Sequence, residues 1–198
     1  MMTTNATARL ATLILCLAAF TPPAHADTQR YALDMSHTDI HFSIMRFGFN
    51  RVIGHFRDAE GVIDYDANDV ANSSVSVTIQ TASIESGDET RDGHLQGEFW
   101  LNTAAHPTMT FQSTAVSAND DGTLTVTGDL TMLGKTLSVA LLVTINKTGT
   151  DPATKRAAMG VTIKTNLDRA DYGLTTAANL IANDVHVHIE ALALADGA

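Results

Sequence analysis

His186 and His188 stand two apart inside the run Val185-His186-Val187-His188-Ile189, so on an extended strand their imidazoles share one face. Such a pair could contribute to a metal centre, but zinc takes three or four protein ligands. No third ligand stands at a convincing spacing, and the alternation turns this face away from the apolar one, toward solvent. His37 and His41 are four apart and would be separated by roughly 13 Å on an extended chain, too far for one ion. Asp171-Tyr172-Gly173 matches a kinase triplet, yet no glycine-rich nucleotide loop or strand-borne lysine motif accompanies it. Ser73 and Ser74 lie in no strand-turn-helix elbow, and no nucleophile, base and oxyanion donors assemble. The expectation is a protein without catalytic residues, metal or cofactor.

Two charged phrases remain, and both fall where strands should give way to turns or helices: Arg91, Asp92 and His94, then Arg169 and Asp171. One reading is a polar mouth that grips a ligand head group. The other is an ion-pair and capping network that fixes a helical insertion to the body of the fold. Opposite charges occur together in both phrases, which favours the network, although the two roles are compatible.

The elements that must position these residues are strands. Period-two alternation recurs around Ile40, Phe42 and Ile44, around Val75, Val77 and Ile79, and around Met109 and Phe111. It continues through Leu124 to Met132, Leu137 to Ile145, Val161 to Leu167 and Val185 to Ile189. Further strands are expected at Arg30 to Met35, Arg51 to Phe56 and Gly61 to Tyr65. Turn residues at Asn119 to Gly122, Leu133 to Lys135 and Lys147 to Thr154 separate these runs, and the short connections favour sequential hairpins. The stretch from Leu137 to Lys147 would extend roughly 33 Å, long for a sandwich strand. The expected fold is all-β, an antiparallel up-and-down barrel of about eight strands. Only Ala82 to Asn102 breaks the alternation; Leu95, Phe99 and Trp100 there suit one or two short helices with an apolar side, ended by Pro107.

Residues 1–26 read as a cleaved secretory signal: a short start ending in Arg9, the apolar run Leu10 to Phe20, then Ala24-His25-Ala26. The apolar run is too short to span a bilayer. The mature domain would be 27–198, without the single cysteine, Cys16, and so without disulfides or Cys-based zinc sites. The formal charge of the whole chain is −10. Such acidity argues against nucleic acid, whose binding needs positive charge to release counterions. An exported domain with no membrane span is expected.

Four phrases carry a resemblance. They are Ser36 to Ile44, Arg91 to Leu95 with Phe99 and His106 to Phe111, Thr127 to Gly134, and Asp168 to Gly173. Their order and spacing, from about Tyr31 to Ala193, are similar to those of the YceI-like family, bacterial lipid- or polyisoprenoid-binding domains that are often periplasmic. The resemblance implies an extended, lipocalin-like antiparallel barrel whose interior holds a long apolar molecule, such as a polyprenyl chain, a quinone tail or a fatty amide. The chain departs from the family at Arg46, where many members carry His, and at Tyr172, where many carry Phe.

The residues support lipid binding in their own way. An eight-stranded barrel can be filled by side chains or hold one ligand, and only 6% of this chain is aromatic. Gly54 and Gly128 on the inward face would leave the centre underfilled. The expected lining is Ile40, Phe42, Ile44, Val77, Ile79 and Phe111, with Leu130, Met132, Leu141, Val143, Ile163, Leu167 and Val187. Counting by twos puts Arg46 inward as well, near the end of its strand, where it must meet an anion (Asp92, Asp171 or the head group of a bound amphiphile) or reach water at the mouth. The expected function is that of a periplasmic carrier of a long-chain amphiphilic lipid, with a homodimer left open. The alternative is a non-enzymatic barrel with a structural core that acts through protein contacts.

Overall fold

A computed structural model describes residues 28–195; the expected signal at 1–26 lies outside the described residues. The chain runs through β1 (Gln29–Leu33), β2 (Asp39–Arg46), β3 (Asn50–Phe56), β4 (Ala59–Tyr65), β5 (Ser74–Gln80), β6 (Ile84–Glu85) and the helix α1 (Glu89–Gln96). It continues through β7 (Thr108–Ala118), β8 (Leu124–Met132), β9 (Lys135–Thr150), β10 (Ala157–Asp168) and β11 (Ile181–Ala195). Neighbouring strands pair antiparallel in a single sheet. β11 returns to β1 at Tyr31–Ala195 and to β2 at Ile40–Ile189, which closes the barrel and removes its edges.

Six of these segments are halves of three long staves, β1 with β2, β3 with β4, and β5 with β6, so the barrel has eight staves in up-and-down order. The three interruptions lie side by side. The Asp34 carboxylate caps the turn Met35–His37, accepting from the Ser36 N–H at 3.0 Å. The Arg57 N–H donates to the Ser83 carbonyl, and the Gln80 N–H to the Asp58 carbonyl. Thr81 is buried, its hydroxyl donating to the His106 carbonyl at 2.7 Å. The backbone groups freed by each break are thus met locally, and the wall can bend there at little cost.

Alternation holds along the staves, and the inward side chains form two packed groups. One surrounds Tyr31, Phe111, Val126, Met159 and Val161, closed by the small residues Ala191, Ala193 and Ala195 along the β1–β11 seam. The other gathers Ile40, Phe56, Ile84, Leu101, Met109, Met132 and Tyr172. Loops 66–73, 119–123 and 151–156 lie at the first end. At the other end lie the hairpin tips around Phe47 and Leu133-Gly134, the insertion after β6 and the loop 169–180. Leu133 and Gly134 both have positive φ, the geometry of a two-residue hairpin turn whose twist matches its strands.

The insertion contains one helix of two turns. Asp88 caps it by accepting from the Arg91 N–H at 2.8 Å, and it ends at Gly97. The expected apolar side divides differently: Leu95 packs on the core and Leu101 is buried in the turn that follows, whereas Phe99 is 77% exposed. Chain reversal at Gly97 ends the helical periodicity before the aromatics, so helix spacing does not govern them.

Candidate functional site

Loop 169–180 lies over one end of the barrel and is organised by a single side chain. Arg169 is only 2% exposed. Its guanidinium donates to the carbonyls of Ala182 at 2.9 Å, Leu174 at 2.7 Å, Thr176 at 2.9 Å and Ile181 at 3.0 Å. These contacts use four of its five N–H groups on neutral dipoles. Among the described residues it makes no ion pair with a carboxylate, and burial lowers its pKa while Asp168 partly offsets this. The guanidinium also lies 5.8 Å above the Trp100 ring, which ties the insertion to the loop. Thr176 donates to the Phe99 carbonyl, Lys135 to the Asp171 carbonyl, and the Phe47 N–H to the Leu180 carbonyl. The loop is therefore fastened to three neighbours.

Two polar atoms in or next to this loop, the Tyr172 hydroxyl and Asn183 Oδ1, are buried with no partner among the described residues. Tyr172 is 3% exposed and packs among the apolar residues of the second inward group. Burial, with Asp171 adding to it, pushes its pKa up, so the phenol stays protonated and can donate. A buried donor without an acceptor costs about 1–3 kcal/mol. A cation held by dipoles and an unpaired donor make this end suited to an oxygen-bearing head group.

The expected lining residues divide along the barrel. Phe111 and Val143 belong to the first packed group, with Leu130, Leu141 and Ile163 against it. Ile40 and Met132 belong to the second, with Phe42 and Ile79 against it. Ile44, Val77, Leu167 and Val187 join neither group. Of these, Ile44 pairs with Val185, Val185 with Leu167, and Val187 with Phe42, so they form one half-buried aliphatic strip across β10, β11 and β2. The strip runs toward the loop end. The two glycines do not leave the voids expected of them. A Cβ on Gly54 would meet the Phe42 ring at 2.4 Å, and one on Gly128 the Phe111 ring at 2.5 Å, so each ring fills its glycine's place.

The charged residues depart from expectation. Arg46 is exposed at the tip of β2, its guanidinium 3.9 Å above the Phe47 ring, and among the described residues it pairs with neither Asp92 nor Asp171. Parity does point it inward, but at the lip inward is already solvent. Arg91 donates to the Ser86 hydroxyl and carbonyl, each at 2.7 Å, and Asp92 accepts from the Ser86 N–H at 2.8 Å. Both are occupied by the turn before α1. His94 is exposed beside an open groove of about 210 Å³ lined by Gly93, Gly97, Glu98, Phe99 and Trp100. The Asp171 side chain is exposed. The hydrogen bonds of Arg91, Asp92 and Arg169 run to Ser86 and to backbone carbonyls rather than between opposite charges. Asn183 was not singled out from sequence, and Tyr172 only as a departure from the Phe that many family members carry, because burial without a partner has no local signal. Around this end stand Phe49, 88% exposed, with Phe47, Phe99 and Leu180.

Residues 31–193 match the YceI-like domain model. The chain belongs to the YceI-like family. A UPF0312 protein of Ectopseudomonas mendocina is 37% identical over 124 residues, 62% of this chain and 65% of that protein. A UPF0312 protein of Vibrio vulnificus strain YJ016 is 30% identical over 172 residues, 86% of this chain and 90% of that one. Among solved structures, the YceI protein of Campylobacter jejuni superposes with a TM-score of 0.70 at 26% identity, covering 75% of this chain and 88% of that one. A polyisoprenoid binding domain from Saccharophagus degradans shares the fold, with a TM-score of 0.62 at 18% identity, covering 84% of this chain and 98% of that one. The eight-stave barrel and its one short helix are thus the architecture of YceI-like proteins. Among the described residues no helix is long and apolar enough to cross a membrane.

Proposed function

We propose that this YceI-like protein is exported to the periplasm and carries a long-chain amphiphilic lipid, of polyisoprenoid, quinone or fatty amide type, without catalysing a reaction on it. The observation that carries the reading is the buried Tyr172 hydroxyl, without a partner among the described residues, near a buried Arg169 that among them pairs with no carboxylate, at the end of an apolar barrel. The tail lies along the strip of Ile44, Leu167, Val185 and Val187. The head group sits under loop 169–180, accepting from Tyr172. Each buried methylene contributes about 0.8 kcal/mol, so a dozen give roughly 10 kcal/mol before the costs of association. Tail burial supplies affinity with little selectivity, and Tyr172 and Arg169 supply the preference for a head group. The name of the Saccharophagus degradans domain, which has this fold, is consistent with such a ligand.

Native mass spectrometry of the protein isolated from its own cells tests this. The expected spectrum shows a mature chain beginning at Asp27 with one lipid bound, released on activation. A ligand-free chain from cells whose membranes are intact would favour the alternative of a structural core acting through protein contacts.

A further inference from the structure

The outer wall of the barrel holds a group that the carrier function does not use. His188, His41 and His55 face one another across three adjacent strands: the register pairs His188 with His41, and His41 with His55. One step along, Glu190 pairs with Asp39. The Asp39 carboxylate lies between two rings, its Oδ2 3.0 Å from His41 Nδ1 and its Oδ1 2.8 Å from His55 Nδ1. The ligand atoms of Asp39, His41 and His55 all lie within 4.8 Å of one another, and all three residues are half-buried. A tetrahedral zinc ion with bonds of about 2.1 Å spaces its ligand atoms about 3.4 Å apart. The three groups already stand near the corners of such a polyhedron.

We propose that Asp39, His41 and His55 form a binding site for a divalent transition ion of the zinc class on the outside of the barrel, distinct from the lipid site. Two imidazoles and one carboxylate favour zinc, copper or nickel over magnesium or calcium, which prefer all-oxygen shells. Each ring now places its Nδ1 hydrogen against Asp39. The ion takes that place, the ring hydrogen moves to Nε2, and no net proton leaves a neutral ring. The fourth position is left to water, with His188 next in the row, its ring 4.9 Å from that of His41. One group opposes the ion: Arg57 lies 3.3 Å from Asp39 Oδ1, although its Nε is held by Glu85 at 2.7 Å and the side chain can withdraw onto that partner. Since His41 and His55 belong to β2 and β3, the ion would pin the hairpin whose inner face carries Ile40 and Phe42.

The test uses the protein purified without a histidine tag and stripped of metal. Zinc is titrated against a chromophoric chelator, with magnesium and calcium in parallel, and Tm is followed. One zinc per chain is expected, with a rise in Tm and no response to magnesium or calcium. Asp39→Asn, His41→Ala and His55→Ala should each weaken zinc by at least about tenfold, Arg57→Gln should strengthen it several-fold, and His94→Ala and His106→Ala should leave it unchanged. Circular dichroism of each variant confirms that it is folded. Zinc binding that survives Asp39→Asn and His55→Ala, or that falls equally with His94→Ala, would overturn the site. Lipid loading is read separately by native mass spectrometry, so failure here does not bear on the carrier reading.

Discussion

At the end formed by loops 66–73, 119–123 and 151–156, each turn is tied by an aspartate to its own neighbours. Asp66 accepts from Asn72 Nδ2 and from the N–H groups of Asn68 and Asp69. Asp121 accepts from the hydroxyl and N–H of Thr123, and Asp151 from the N–H of Ala153 and from Thr154. At the opposite end one arginine binds the carbonyls of Leu174 and Thr176 in loop 169–180 and those of Ile181 and Ala182 at the start of β11, and two nearby polar atoms have no partner among the described residues. The first end is locally satisfied and packed on small residues. The second is held from one centre and left incomplete, the condition expected where a ligand supplies the missing contacts.

Arg169→Met should give the largest effect, because it strips four buried carbonyls of their donors at once. A loss of about 3 kcal/mol or more in urea unfolding is expected. Arg169→Lys should recover only part, since an ammonium cannot reproduce the planar fork. A loss below about 1 kcal/mol would mean that the loop is held by its other fastenings, and the contrast between the ends would fail.

Acid should act on the other end. Hydrogen bonds from Asn72, Asp69 and Asn68 hold the Asp66 carboxyl below its ordinary value, and those from Thr123 do the same for Asp121. For Asp151 the Ala153 N–H is the main cause, with burial opposing it and Thr154 adding to it. A carboxylate whose folded pKa is depressed stabilises the fold above its unfolded pKa, and that contribution is lost as pH falls through the folded value. The window therefore lies below about pH 4. There the amides of 66–73, 119–123 and 151–156 should lose protection before those of 169–182, measured by hydrogen exchange corrected for intrinsic rate. Simultaneous loss at both ends would show that acid unfolds the barrel as one unit.

What could be read from sequence follows the same division. Strands, hairpin turns and the inward face were legible because alternation and turn chemistry are local. At the first end the turns at 119–123 and 151–156 share that legibility, whereas loop 66–73 was not read as a turn. For Arg46, parity gave a direction but not the point where the wall stops, so the choice between an anion and water at the mouth stayed open. Arg91 and Asp92 were expected to pair with opposite charges, whereas Ser86, with no charge to draw notice, takes both. His186 and His188 were set aside for want of a third ligand along the chain. His188 does have imidazole neighbours, but they come from β2 and β3 through register, which spacing within one strand does not encode. Family resemblance carried the barrel and marked Tyr172 as a departure from the Phe of many members, yet it gave no sign that the phenol is buried without a partner.

That phenol gives the smallest change in stability and the sharpest test of the incomplete end. Tyr172→Phe removes one oxygen and keeps the ring that packs among Met109, Met132 and Ile40. If the hydroxyl is unpaired in the empty barrel, its removal relieves an unmet desolvation cost, and unfolding free energy should stay level or rise slightly. In the loaded protein the same change deletes a donor to the head group, worth about 0.5–1.5 kcal/mol, or roughly a 2- to 10-fold loss of affinity. Comparing a lipid whose head group carries an oxygen acceptor with a hydrocarbon of equal length separates the two effects. Affinity for the first should fall, and affinity for the second should not. A destabilised empty protein would show that the hydroxyl already has a partner, and an equal loss for both lipids would show that Tyr172 only shapes the barrel; either result would leave the loop end structurally complete, like the end it is contrasted with.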